Sequence, residues 1–315
     1  MFPKPARVKR RNRFVDYAAY LGVRMVVFIA QSLSMRQSYA LADAIAALVY
    51  KIDKRHRQVA MENLRHAFGD EYTDEQRDQI VRGVYRHFLR MVMEMLHIPK
   101  RLHLTTWRKF ITLKGHGPVI ERLLKGGPMI MLTGHYGNWE MAGYLFGAFG
   151  FPPHSVARVL DNPYLERYLK EFREQTGQKM IAKRGGSDEM LDVLQSGGLL
   201  SMLGDQDAGP KGLFVDFFGR PASTFKAIAL LAIEFNAPIV VGGARRVGDD
   251  FQYLVEVEEI IDVNTDDASP DFIRELTQRY TAALERMVRR DPTQYLWLHR
   301  RWKNQPKAKR SKAAA

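Results

Sequence analysis

Cysteine is absent from the 315 residues of this chain. Its absence excludes a disulfide scaffold, a Cys-ligated zinc site, an iron–sulfur cluster and a thiol nucleophile. A G-x-S-x-G elbow is also missing, so the exposed serine of an α/β-hydrolase is not in view. There is no internal repeat and no long low-complexity segment. No A-x-A-like site closes the N-terminal apolar stretch, which argues against a cleavable signal. Acidic residues are missing from both ends: residues 1–13 hold six Lys or Arg, residues 299–315 hold seven, and neither segment has an Asp or Glu. Of 48 basic and 35 acidic residues overall, this leaves 35 of each sign in between. The net charge of +13 thus belongs to two basic ends on a neutral body. A neutral body without a recognised binding motif disfavours nucleic acid as partner. At 46% hydrophobic and 26% charged residues, the composition is that of a globular chain.

Residues 14–35 form the most apolar long stretch. At 100° per residue, Arg13, Asp16, Tyr17, Tyr20, Arg24 and Gln31 share one stripe, and the other faces are apolar. An arginine at mid-span costs roughly 2.5–3.5 kcal/mol in hydrocarbon on insertion scales. An interfacial helix, or one tilted with its polar stripe against the protein, therefore fits better than a clean crossing. The basic cluster before it would meet anionic headgroups. An ordinary buried helix with a basic tail is the alternative.

Three helices are expected next, over 36–50, 53–67 and 73–98. Thr73 opens the last with a T-x-x-Q capping box, and Pro99 is expected to stop it. From residue 128 the periodicity changes. Strands are expected at 128–132, 154–159, 179–182, 198–203, 238–245 and 253–259, alternating with helices at 138–149, 162–176, 187–196, 223–236 and 270–290. That alternation predicts an α/β domain with a mainly parallel central sheet flanked by helices. The expected organisation is a basic, membrane-associating N-terminus (1–35), a helical region (36–127), an α/β core (128–302) and a disordered basic tail (303–315). Ligands in such sheets sit beyond the carboxyl ends of the strands.

The loop after the first of these strands reads TGHYGNWE, residues 133–140. Gly134 and Gly137 allow a tight turn and close approach to a ligand. Asn138 can cap the following helix. His135 lies on the loop and Glu140 in the first helical turn, so the two can meet. Glu140 would then fix the imidazole tautomer, and His135 could act as general base on a hydroxyl. The loop N–H groups could serve as oxyanion donors. A capped helix with a satisfied polar pair is the alternative.

At this loop the sequence resembles the late acyltransferases of lipid A biosynthesis, the lauroyl and myristoyl transferases. They lie within the lysophospholipid acyltransferase superfamily with its H-x4-D/E motif. The resemblance extends through HRQVAMENLRHAF (56–68), VARVLDNPYL (156–165), LGDQDAGPKGLFVDFFGRPASTF (203–225) and PTQYLWLHRRWK (292–303). It implies a glycerolipid-acyltransferase-like fold on the cytoplasmic face of a bacterial inner membrane. It implies transfer of a fatty acyl group from acyl carrier protein or acyl-CoA to a hydroxyl of a lipid A precursor or related glycolipid, without a further cofactor or metal. By matching motif, His135 is the base and Glu140 its partner. Arg158 contacts phosphate or the acyl donor, and Asp205 and Gln206 lie beside the site. A lysophospholipid acceptor, a hydrolase using the same pair on water, and a non-enzymatic anionic-lipid-binding protein are the competing functions.

Several residues keep two readings. The Asp205–Asp207 cluster could position His135 or the acceptor, or bind a metal. Phe214, Phe217 and Phe218 could line an acyl groove or fill the core. Trp297 and Trp302 suit a membrane interface or simple packing.

Overall fold

The computed structural model describes residues 12–263 and 271–306. Lys4, Arg7, Lys9, Arg10 and Arg11 of the basic N-terminus, and the tail from Lys307, lie outside the described residues. Four helices lead the chain: α1 (Arg13–Ser32), α2 (Met35–Ile52), α3 (Lys54–Phe68) and α4 (Asp74–Arg101). Both α2 and α4 start with complete capping boxes, Ser34 with Gln37 and Thr73 with Gln76. Pro99 does not stop α4. It sits in the last turn, and the chain remains helical to Arg101. A proline there removes a single backbone bond near an end where the ladder already stops.

The α/β part runs β1 (Ile111–Lys114), α5 (Gly117–Lys125), β2 (Met129–Thr133), α6 (Trp139–Ala148), β3 (His154–Ala157), α7 (Pro163–Glu174), β4 (Lys179–Ala182), α8 (Ser187–Gln195) and β5 (Leu199–Leu203). It continues through β6 (Leu213–Phe217), β7 (Arg220–Thr224), α9 (Ala227–Glu234), β8 (Ile239–Arg246), β9 (Tyr253–Ile261) and α10 (Phe272–Arg290). Seven strands form one sheet in the order β1-β9-β8-β2-β5-β3-β4. All neighbours in it pair in parallel except β8 and β9. The α/β class is therefore as the alternation predicts. Two pieces are additions: the edge strand β1, and the antiparallel hairpin β6–β7 inside the segment read as a loop.

The polar stripe of α1 does turn toward the protein. Tyr17 and Tyr20 pack against Tyr164 of α7, and Tyr20 also against Tyr168. The Arg24 guanidinium lies 5.0 Å from the Tyr168 ring centre and donates to the Tyr20 hydroxyl at 2.9 Å. Gln31 donates to the Leu96 carbonyl of α4. The opposite side, with Phe14, Met25, Val26 and Phe28, is exposed. By length and composition α1 could also cross a bilayer.

A buried carboxylate ties the helical layer to the sheet. Glu94 of α4 is fully buried and accepts from Tyr39 of α2 (2.7 Å), Arg246 of β8 (2.8 Å), Asn138 (3.0 Å) and the Tyr253 hydroxyl of β9. A charge at such depth is tolerated only with its partners in place.

Candidate active site

The parallel register of β2 and β5 decides which residues meet. Thr133 lies opposite Leu203. Two residues further along each strand, beyond the sheet's carboxyl edge, come His135 and Asp205. The Asp205 carboxylate is 2.8 Å from His135 Nδ1 through Oδ1, and accepts from the His135 backbone N–H at 2.8 Å through Oδ2. Gly134 permits this approach: a Cβ there would stand 3.3 Å from the Asp205 carboxyl.

Glu140 has a different partner from the expected one. Arg173 of α7 forks onto it, Nε to Oε2 at 2.9 Å and a terminal nitrogen to Oε1 at 2.5 Å. Glu140 is in the first turn of α6, on the side that faces α7, so both its oxygens are claimed before they reach the imidazole. Its charge still acts on His135 through space.

The rest of the loop is braced by the protein. Gly137 has φ +60, and a Cβ would stand 2.1 Å from the Ala244 carbonyl oxygen. Its N–H donates to Gln294 O, and the Asn138 N–H to Ala244 O. The backbone N–H groups of 135, 137 and 138 are thus engaged, and none of them is an open oxyanion donor. His87 is buried, its pKa pushed down to about 3 chiefly by burial, so the neutral ring donates from Nε2 to the Gly137 carbonyl at 3.1 Å. Leu296 N donates to His135 O, and Tyr136 bridges Tyr295, so the C-terminal box backs the loop. Asn138 caps α6 on the Met141 N–H and reaches Glu94 with its other end. Fully buried, it holds the scaffold and does not face a ligand.

Burial alone would draw the His135 pKa down, but the Asp205 carboxylate outweighs it and holds the ring above its usual value. Conversely, burial raises Asp205, and the His135 charge and hydrogen bonds more than offset this, leaving it below the usual carboxylate range. Nε2 remains outside the pair. The Gln206 carboxamide stands 3.5 Å from it, and the Trp139 ring lies edge-on to the imidazole at 5.0 Å.

Between the sheet and helices α6 and α7, reaching Thr133 and Trp139 on either side of the loop, opens a mainly apolar cleft. Met131, Trp139, Phe146, Val156 and Met202 line it, with the Glu140–Arg173 pair in its wall. It shares Ala142, Phe146, Val255 and Val257 with a second apolar cavity of about 1240 Å³ that reaches Leu104 and Ile120 at the surface.

Other expected residues land elsewhere. Arg158 is exposed, 3.7 Å from Asp161, and does not line the cleft. Phe217 and Phe218 are core residues, as are Trp297 and Trp302, and Phe214 is half-buried; none of the three phenylalanines lines the apolar cleft, and neither tryptophan is exposed as a membrane anchor would be. Asp207 is tied to the Gly209 N–H and Asn304, and no cluster of three metal-ligating side chains occurs among the described residues. Arg173, His87 and Arg301 escaped sequence reasoning. Arg301 is buried and donates to Ser223 O and Thr224 Oγ1 beneath Gln206.

Comparison with known proteins matches this geometry to a family. The sequence model for the bacterial lipid A biosynthesis acyltransferases covers residues 6–304. The lipid A biosynthesis lauroyltransferase of Escherichia coli K12 is 25% identical over 298 residues, 92% of either chain. The palmitoleoyltransferase of the same organism is 23% identical, covering 84% of this chain and 85% of its own. A phosphatidylinositol mannoside acyltransferase of Mycolicibacterium smegmatis is 31% identical over 119 residues, 36% of this chain and 39% of its own. The chain belongs to the bacterial lipid A biosynthesis acyltransferase family and is an acyltransferase.

Proposed function

We propose that the protein transfers a fatty acyl group from the thioester of acyl carrier protein or coenzyme A to a hydroxyl of a lipid A precursor or related glycolipid, with no metal or other cofactor. The observation that carries this reading is His135, with Nδ1 held at 2.8 Å by Asp205 and Nε2 left outside that pair, on a loop whose flanking residues Thr133 and Trp139 line an apolar cleft. The acceptor hydroxyl gives its proton to Nε2 as its oxygen attacks the thioester carbonyl. Asp205 stabilises the imidazolium that forms. The tetrahedral oxyanion accepts from the Gln206 carboxamide and from the Arg173 nitrogen not used on Glu140. Its collapse breaks the C–S bond, and the imidazolium returns the proton to the departing thiolate. The acyl chain occupies the cleft under α6.

Incubation with lauroyl and palmitoyl thioesters of carrier protein and coenzyme A, followed by mass spectrometry, tests the reading. A lipid A precursor is expected to gain one acyl mass. Free fatty acid released equally with and without acceptor would identify a hydrolase instead.

The proposed location is the cytoplasmic face of the inner membrane, with α1 lying in the interface. Its exposed apolar side fits the headgroup–acyl boundary, and Tyr20 and Arg24 are engaged by α7. Replacing Phe14 and Phe28 together by Glu is expected to cut partitioning onto phosphatidylglycerol-containing vesicles at least about tenfold. Unchanged pelleting with vesicles would rule this placement out.

A further inference from the structure

Away from His135, α3, the β6–β7 turn and residues 300–303 of the C-terminal box (292–303) border an open, partly polar cavity. Arg220, Arg300 and Lys303 converge on it, with His66 and Trp302 in its wall and Glu62 at its rim. None of the three cations pairs with an acid among the described residues. Some surface arginines elsewhere are matched, such as Arg65 with Asp74, Arg122 with Asp262, Arg279 with Glu259 and Arg286 with Glu258; what sets this place apart is that three cations without an acid line one space. The single carboxylate, Glu62, is engaged by the Gln58 side chain at 3.0 Å. Arg220 stands close enough to His66 to disfavour its protonation, alongside the larger effect of burial. The cavity therefore offers an excess of donors and positive charge.

We propose that this cavity binds the phosphate group of a phosphorylated ligand. Two forked guanidiniums and an ammonium around one space match the acceptor oxygens and negative charge of a phosphate, single in a diester and double in a monoester. A carboxylate would leave part of that donor set unused. The cavity is also wired to the catalytic loop. Asn63 of α3 donates to the carbonyls of Trp297 (2.7 Å) and His299 (2.8 Å). His299 Nε2 in turn accepts from the Asp207 N–H at 3.1 Å, two residues past Asp205. A ligand anchored here rests on the segment that backs His135. The site is read from its own residues; only the source of its phosphate rests on the acyltransfer reading. That source is either the phosphopantetheine of the acyl donor or the phosphorylated sugar of the acceptor.

Titration calorimetry separates the possibilities without turnover. The probes are the methyl phosphodiester of 4′-phosphopantetheine, which keeps the donor's diester charge, for the donor arm, glucosamine 4-phosphate for the acceptor arm, and pantetheine and glucosamine as their phosphate-free controls. The proteins are the wild type, Arg220→Gln, Arg300→Gln, the charge-conserving Arg220→Lys and His135→Ala, all with matched melting curves. One phosphorylated probe is expected to bind about tenfold or more tighter than its phosphate-free control, and its identity names the source. Arg220→Gln and Arg300→Gln are expected to erase that margin, Arg220→Lys to keep part of it, and His135→Ala to keep all of it. A wild type that does not distinguish either probe from its control overturns the proposal. So does a margin that survives both glutamine variants. Because His135→Ala also loses transfer, failure of the acyltransfer reading and failure of this site give different results.

Discussion

Replacing His135 by alanine is expected to lower kcat/KM for acyl transfer by about 10²–10⁴-fold, the range contributed by a positioned general base. In the proposed mechanism the substitution removes the group that accepts the hydroxyl proton and the imidazolium that returns it. It also takes the ring away from Asp205, whose buried carboxylate keeps the backbone N–H of residue 135 and the Tyr295 hydroxyl but loses its charged partner. Some loss of stability follows from that exposed debt, so His135→Gln, which retains a polar side chain, is the companion variant. Both are expected to melt cooperatively and to remain poor catalysts. Transfer at the wild-type rate by either folded variant would remove His135 from the mechanism.

The second large effect is expected from Asp205→Asn, nearly equal in volume. In the wild type the Asp205 charge holds the His135 pKa above its ordinary value of about 6.5. The base works only when neutral, so activity is lost as pH falls through that raised pKa. The acid limb of kcat/KM therefore lies above the ordinary histidine midpoint. With Asn at 205, burial acts on the ring without the opposing charge, and the limb is expected to move to lower pH. On the plateau the rate falls by about 10²–10⁴, because the imidazolium formed during transfer has lost its carboxylate. A pH–rate profile measures both. A limb that stays in place in Asp205→Asn but moves in Glu140→Gln would return the orienting role to Glu140.

The architecture was legible where local patterns decide it. Strands β2 and β5 are mainly apolar runs in the middle of a parallel sheet, and the Thr73 capping box marks α4. The four-residue β1 carries too little pattern to stand out, and its partner β9 lies some 140 positions later. The site was half legible. The glycines around His135 announced a loop that must pass close to other groups. Its true partner depends on the register between β2 and β5, which aligns residues 70 apart and leaves no mark in the H-x4-E spacing. Arg173 was hidden for a related reason: it is one cation among several on an amphipathic helix until α7 is docked against α6. The tryptophans of the C-terminal box misled in the other direction. Beside a run of arginines they resemble interfacial anchors, yet Trp297 donates to Pro292 O within the core.

Helix α7 reaches both α1 and the cleft. Tyr164 and Tyr168 rest on α1, and nine residues past Tyr164, about 14 Å along a rigid rod, Arg173 grips Glu140 in the cleft wall. With α1 laid on a lipid surface, that rod fixes the height of the cleft above the acyl chains. The acceptor hydroxyl also sits at a set depth, because its lipid tails anchor it. Site selection among the hydroxyls of one glycolipid then becomes a matter of altitude, set by the length of a helix before any contact with the sugar discriminates.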